Sequence, residues 1–215
     1  MKRTLIKICG MTNVKDITFA DTLDIDFIGL IFVPQSPRCI DIEMLKTISE
    51  VKTSKKIVGV FLDQSRDFIQ SIIKEINIDY IQFHGSEDYS FCKSFDLPFF
   101  KTLHIRSDNI LMWTECHQKS NIVILDNQIG ENKGGTGEIF DWNILNDDKI
   151  LSGNLKQKEY LIAGGLSLDN IDSLLLTYNP LGVDVSSGLE QSIGHKNYDL
   201  MRNFVNHVRN YDEAS

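Results

Sequence analysis

The sequence predicts a single-domain α/β protein of the (β/α)8 class, a TIM barrel. Eight short runs of Ile, Val, Leu and Phe recur along the 215 residues, roughly 20 to 40 residues apart, which leaves room for a helix after each strand. Runs without polar alternation are typical of parallel strands covered on both faces. Eight such units in about 200–250 residues indicate a closed barrel. A doubly wound open sheet is the alternative, but no G-x-G-x-x-G follows the first strand.

Each element follows from a local pattern. The predicted strands are, in chain order, Leu5–Cys9, Phe27–Phe32, Lys56–Phe61, Tyr80–His84, Phe99–Ile105, Asn121–Asp126, Tyr160–Ala163 and Gly182–Ser186. Apolar residues at helical spacing predict helices in Asp41–Lys52, Ser65–Ile76 and Tyr198–Asn210, and the N-cap candidates are Asn13, Asp41, Ser65 and Ser167. The polar stretch 143–159 is interpreted as a helix and a surface loop. Residues 1–210 form the predicted barrel, and residues 211–215 are expected to be a frayed tail.

Composition and charge disfavour several classes of function. The net charge is -8, and Lys and Arg are scattered, so the basic stripe that nucleic acids require is missing. No apolar run is long enough for a membrane span, and we interpret the N-terminus as lacking a signal peptide. The four cysteines show no C-x-x-C spacing, which favours free thiols in a reducing cytoplasm over disulfides or a metal site.

The active site of such a barrel lies at the carboxyl ends of its strands, and several of these ends carry chemically useful residues. The first strand ends on Cys9, the fourth on His84 and the sixth on Asp126. Arg38 lies in the loop after the second strand. Cys9 is either a buried spacer or a catalytic thiol on this pattern, and His84 is either a substrate contact or an ordinary loop histidine.

Glycine-rich turns follow the last two strands. Gly164 and Gly165 follow the seventh, and Ser186 and Ser187 begin a Ser-Ser-Gly turn after the eighth. Glycines let backbone amides approach an anion closely, and barrels often bind phosphate between these two loops. The pair of turns therefore predicts a phosphate-containing ligand, although each alone is equally consistent with a tight turn. A further glycine cluster, Gly134–Gly137, is interpreted as a mobile lid or a plain flexible loop.

Seven ordered motifs carry a family resemblance. They are KICGMTN, IFVPQSPR, VGVF, IQFHG, LDN with GGTGEIFDW, LIAGGLSLDN and GVDVSSGLE, and they extend from Lys7 to Glu190. Together they resemble the phosphoribosylanthranilate isomerase family of tryptophan biosynthesis. The resemblance implies a barrel without a cofactor that performs an Amadori rearrangement on a small phosphorylated substrate, as a monomer or a homodimer.

The resemblance also implies roles for individual residues. Cys9 corresponds to the general base, Asp126 to the general acid, and Arg38 to the arginine that holds the anthranilate moiety. Gly164, Gly165, Ser186 and Ser187 correspond to the phosphate site. Cys39 and Glu138 depart from the common pattern, which leaves the local substrate contacts less defined.

A cysteine acts as a base only as thiolate, and a free thiol has a pKa of about 8.5. Strand alternation places Lys7 on the same face as Cys9, where an ammonium group would lower the pKa of the thiol. An isolated buried charge is costly, so Lys7 requires a partner. Strands one and eight are neighbours in a closed barrel, which predicts a Lys7–Asp184 ion pair. The alternative for Lys7 is a chain that extends to solvent at the lower end of the barrel.

Two other functions are compatible with a phosphate-binding barrel. One is a neighbouring synthase of the same pathway, which would call for an inward lysine–glutamate pair at the rim that the sequence pattern does not show. The other is a non-catalytic barrel that binds a sugar phosphate or a partner protein.

Overall fold

Eight parallel strands close into a barrel, as the sequence predicts. The computed structural model describes residues 3–105, 113–129, 132–133, 142–143 and 158–214. The barrel strands are β1 (Leu5–Cys9), β2 (Phe27–Ile31), β3 (Lys56–Phe61), β4 (Tyr80–Phe83), β5 (Phe99–Ile105), β6 (Ile122–Ile129), β7 (Tyr160–Ile162) and β8 (Gly182–Val185). Consecutive strands pair in parallel, and β8 pairs with β1, which closes the barrel. The open-sheet alternative is therefore excluded.

Helices follow the strands around the outside of the barrel. In the described part of the chain they are α1 (Val14–Asp21), α2 (Ile42–Ser49), α3 (Arg66–Glu75), α4 (Tyr89–Lys93), α5 (Glu115–Lys119), α6 (Ile171–Tyr178) and α7 (Tyr198–Ala214). Asn13, Asp41 and Ser65 cap α1, α2 and α3 through their side chains, as predicted. The predicted Ser167 cap is wrong, because a turn intervenes and α6 begins only at Ile171.

The C-terminal tail is helical up to Ala214, so the expected fraying from residue 211 is wrong for this part. The Asp212 carboxylate accepts hydrogen bonds from the Thr4 amide at 3.1 Å and from Arg209 at 2.6 Å, which ties the end of α7 to the start of β1. The loop 134–137 and most of the polar stretch 143–159 lie outside the described residues. None of the described helices combines the length and apolar character needed to span a bilayer.

The interior of the barrel is apolar at its lower end and polar above. Phe27 lies edge-on to Phe100 with ring centroids 5.3 Å apart, and both pack with Tyr80. Above this aromatic floor, Lys7, Gln82, Thr102 and Asp184 are buried within the strands. A packed floor leaves the carboxyl ends of the strands as the open mouth of the barrel.

Candidate active site

Cys9 ends β1 and lies at the mouth of the barrel with 7% of its surface exposed. Its register partner on β2 is Gly29, and a Cβ atom added to Gly29 would lie 2.5 Å from the Cys9 Sγ atom. Such a contact is far shorter than van der Waals separation, so the missing side chain at position 29 makes room for the thiol. This role of Gly29 was not predictable from the sequence, because an isolated strand glycine has no distinguishing pattern.

Lys7 and Asp184 form the predicted ion pair. They are register partners on β1 and β8, and the Lys7 Nζ atom lies 2.8 Å from Asp184 Oδ2, with both side chains buried. Burial by itself would lower the pKa of the Lys7 ammonium, but the charges of Asp184 and of the Cys9 thiolate raise that pKa above its usual value. Lys7 is therefore a protonated cation inside the barrel, and the solvent-extended alternative is excluded.

The Cys9 thiol does not have the depressed pKa that the sequence analysis expected. Burial raises the pKa of Cys9 above its ordinary value, and this effect outweighs the lowering by the Lys7 and Lys196 ammonium groups. The expected direction was wrong because a thiolate buried at the strand end loses hydration. The charge of Lys7 does lower the pKa of Cys9, but in the free protein this effect is smaller than the rise in pKa that burial causes.

Asp126 lies on β6 beside His104 of β5, and β6 continues beyond it to Ile129. The residue is 9% exposed, and burial together with the nearby charge of Asp184 raises the pKa of its carboxyl group to about 7. The Asn127 amide donates to Asp126 Oδ1 at 2.8 Å, which partly opposes this rise. A carboxylic acid that keeps its proton near neutral pH can serve as a general acid.

The raised pKa of Asp126 predicts a pH-dependent stability. An unfolded aspartate has a pKa of 3.8 and the folded one about 7, so between these values the folded protein binds the extra proton. The contribution of Asp126 to the free energy of unfolding should therefore fall as pH rises from about 4 to 7 and then level off. We expect Asp126→Asn to be more stable than wild type at pH 8, by at most about 4 kcal/mol, and equal to it at pH 4. Urea unfolding at both pH values tests this, and an equal difference at the two would contradict it.

His84 lies directly beside Asp126, with its Nε2 atom 3.6 Å from Asp126 Oδ2. Its Nδ1 atom is within hydrogen-bond distance of the Thr102 hydroxyl at 3.1 Å. The His104 ring contacts it edge-on, at a centroid distance of 4.8 Å. His84 is thus a residue of the mouth, and His104, which the sequence analysis did not group with it, belongs there too because both strands point these residues inward.

The two glycine-rich turns meet at the same mouth. Gly164 and Gly165 have φ angles of 82° and 65°, which glycine adopts without strain. A Cβ atom on Gly188 would lie 2.0 Å from the Leu166 carbonyl oxygen, so the turns after β7 and β8 pack directly on each other. The Ser186 hydroxyl is buried and makes no hydrogen bond among the described residues, and Ser187 begins a short 3-10 turn. The geometry suits an anion held between the turns.

Arg38 is buried at the mouth, where a Cβ atom on Gly10 would lie 2.7 Å from its Cδ. Its guanidinium forms two hydrogen bonds with Glu190, from Nε at 2.7 Å and from Nη2 at 2.8 Å. Lys196 Nζ contacts the same carboxylate at 3.0 Å. A lysine–glutamate pair therefore lies beside Arg38, contrary to the prediction from the sequence pattern, because the segment 190–196 forms a hairpin that brings Lys196 next to Glu190.

Breaking the Lys7–Asp184 pair should destabilise the fold strongly. Lys7→Met leaves a buried carboxylate without its cation, and we expect the free energy of unfolding to fall by about 3–5 kcal/mol. The double variant Lys7→Met/Asp184→Asn removes both charges and should recover much of this loss. Urea unfolding of the three proteins tests the pair, and equal losses in the single and double variants would argue against it.

Among the described residues, no group of three or more His, Cys, Asp or Glu side chains is placed to hold a metal ion. A sequence model of the N-(5'-phosphoribosyl)anthranilate (PRA) isomerase family matches residues 6–207 of this chain. The chain belongs to this family.

Relatives and solved structures agree with the PRA isomerase family. An N-(5'-phosphoribosyl)anthranilate isomerase of Legionella pneumophila (strain Paris) is 38% identical over 205 residues, covering 94% of this chain and 96% of the relative. The phosphoribosyl anthranilate isomerase of Thermotoga maritima has a similar structure, with a TM-score of 0.80, 27% identity and coverage of 96% of this chain and 99% of that one.

A further PRA isomerase structure holds a ligand. It is a complex with reduced 1-(o-carboxyphenylamino)-1-deoxyribulose 5-phosphate, and it has a TM-score of 0.77 and 26% identity, with coverage of 96% of this chain and 99% of that one. That ligand carries a phosphate at one end and an aromatic carboxylate at the other.

Proposed function

We propose that this chain converts N-(5'-phosphoribosyl)anthranilate into 1-(2-carboxyphenylamino)-1-deoxyribulose 5-phosphate, an isomerisation of cytoplasmic tryptophan biosynthesis. One observation carries the chemical assignment: a carboxyl group whose pKa is about 7 and a buried thiol share the mouth and both interact with the Lys7–Asp184 pair. An Amadori rearrangement requires one acid and one base of this kind. Membership of the PRA isomerase family supports the reaction itself.

The acid step belongs to Asp126. Its carboxyl group donates a proton to the ribose ring oxygen, and the C1–O bond breaks to give an open-chain protonated imine. Ionisation of Asp126 in this step is assisted by the Asn127 amide, which donates to the carboxylate and stabilises its charge. His84, whose ring nitrogen lies 3.6 Å from the carboxylate, is close enough to contact the substrate beside it.

The base step belongs to Cys9. Its thiolate removes the proton from C2 of the protonated imine, which gives a neutral enolamine. The enolamine gains a proton at C1 and loses one from the C2 hydroxyl, and the ketone results. Lys7 favours the thiolate through its charge. Asp184 Oδ1 has no hydrogen-bond partner among the described residues, so it can accept a hydrogen bond from a sugar hydroxyl.

The two ends of the substrate bind to residues that do not take part in proton transfer. Gly164, Gly165, Ser186 and Ser187 bind the phosphate, and Arg38 binds the anthranilate carboxylate. Binding energy from both ends fixes C1 and C2 between acid and base, and such orientation contributes to the rate.

A direct assay tests the proposal. Purified protein is mixed with freshly prepared phosphoribosylanthranilate, and the loss of substrate fluorescence is followed. We expect catalytic turnover at neutral pH without an added cofactor. Absence of turnover by the folded wild-type protein would refute the assignment and leave a non-catalytic sugar-phosphate-binding barrel.

A further inference from the structure

Glu190 makes a contact that the reaction alone does not explain. Its carboxylate accepts hydrogen bonds from Nε and Nη2 of Arg38, while its side chain is only 4% exposed. A carboxylate that faces Arg38 in this way occupies one edge of the guanidinium. Among the described residues no acceptor is bonded to Nη1, so the other edge is left for a second anion.

Lys196 also contacts the Glu190 carboxylate, at the oxygen that accepts from Arg38 Nε. Its fully buried Nζ atom donates to Glu190 Oε1 and to the Ser186 carbonyl oxygen, each at 3.0 Å. Its backbone amide donates to Asp16 Oδ2 at 3.1 Å, and Asp16 in turn accepts from Asn13, which caps α1. The hairpin is thereby joined to the start of α1 and to the turn after β8.

Two cations and one anion meet in this cluster, so Arg38, Glu190 and Lys196 together carry one positive charge. A buried carboxylate is stable only when its charge is compensated and its lone pairs accept hydrogen bonds, and here both cations do this. The net positive charge of this cluster suits an anionic group of the substrate.

We propose that Glu190 is a positioning residue that orients Arg38 for the substrate carboxylate, and that Lys196 keeps Glu190 in place. This inference rests on the proposed role of Arg38. An arginine side chain has many rotamers, and ordering it during binding weakens affinity. Two hydrogen bonds from a fixed carboxylate remove most of that freedom beforehand, which is the advantage of a supporting contact behind a binding residue.

Kinetics with two substrates distinguish a positioning role of Glu190 from a general effect of the substitution on the folded protein. The probes are phosphoribosylanthranilate and phosphoribosylaniline, which has the same sugar phosphate but no carboxylate. For Glu190→Ala, and for the size-matched Glu190→Gln, we expect KM for phosphoribosylanthranilate to rise at least about tenfold, the effect of losing a charge-assisted hydrogen bond, with a smaller change in kcat. KM for phosphoribosylaniline should change less than about threefold on the same reasoning.

Further variants provide the controls. Lys196→Met should raise KM for phosphoribosylanthranilate in the same direction, and it replaces Glu190→Ala if that variant does not fold. Asp199→Ala removes the partner of Arg202 in an exposed pair on α7 and should leave both KM values unchanged.

Arg38→Ala shows whether a negative result refutes the positioning role of Glu190 or the role of Arg38 itself. If Arg38→Ala raises KM for phosphoribosylanthranilate alone while the Glu190 and Lys196 variants affect both substrates equally or neither, positioning by Glu190 is refuted and the role of Arg38 stands. If Arg38→Ala also fails to discriminate between the substrates, both assignments are refuted.

Discussion

Asp126→Asn is expected to lower kcat by about 10²–10⁴-fold, the usual contribution of a general acid. Asparagine matches the size and hydrogen-bonding capacity of a protonated aspartate but has no proton to give to the ribose oxygen. Because the pKa of Asp126 is raised, the wild-type carboxyl group holds this proton near neutral pH, whereas the asparagine of the variant has no proton to donate. Steady-state turnover of phosphoribosylanthranilate measures the difference.

Binding serves as the control for Asp126→Asn. The variant should bind reduced 1-(o-carboxyphenylamino)-1-deoxyribulose 5-phosphate, the ligand of a related structure, within a few-fold of wild type, because the proposed phosphate and carboxylate contacts remain. A kcat within a few-fold of wild type would remove Asp126 from the acid step. Loss of binding together with activity would place its role in the architecture of the mouth.

Cys9→Ser should reduce kcat by a similar factor of about 10²–10⁴. The serine hydroxyl fits the space left by Gly29, but it is a far weaker acid than a thiol, so Lys7 cannot produce an alkoxide at neutral pH. The reduced product analogue should still bind, and turnover should be lost at every pH where the protein is folded.

A second thiol supplies the matched control for Cys9→Ser. Cys39 is partly buried and donates to the Ile40 carbonyl oxygen at 3.6 Å, a contact that a serine hydroxyl can replace. Cys39→Ser should therefore keep wild-type kcat. Full activity in Cys9→Ser would exclude the thiol from proton transfer.

The burial of titratable groups at the mouth of the barrel lowers the stability of the folded protein. Burial that raises the pKa of Asp126 makes its ionised form unfavourable, and the same burial raises the pKa of Cys9. Buried groups whose ionised form is unfavourable are common at catalytic sites, where activity and stability compete. The charges of the Lys7–Asp184 pair affect the pKa values of both Cys9 and Asp126.

Strand positions were predictable because each β-strand is a continuous apolar run of the length that a covered parallel strand needs. Leu5–Cys9, Lys56–Phe61 and Phe99–Ile105 begin and end at the predicted residues. Knowing that the strands form a closed barrel also made the Lys7–Asp184 pair predictable, since strand alternation and closure alone bring the two residues together.

The sequence by itself determined the barrel, the residues at its strand ends and the Lys7–Asp184 pair, because these follow from local patterns and regular geometry. Only the tertiary structure decided the environment of those residues. Desolvation of Cys9, the space beside Gly29 and the contact of Glu190 with Arg38 depend on chain segments that are distant in sequence. Burial, and hence the pKa of a group, is a property of all the atoms around it, and a local sequence pattern does not contain that information.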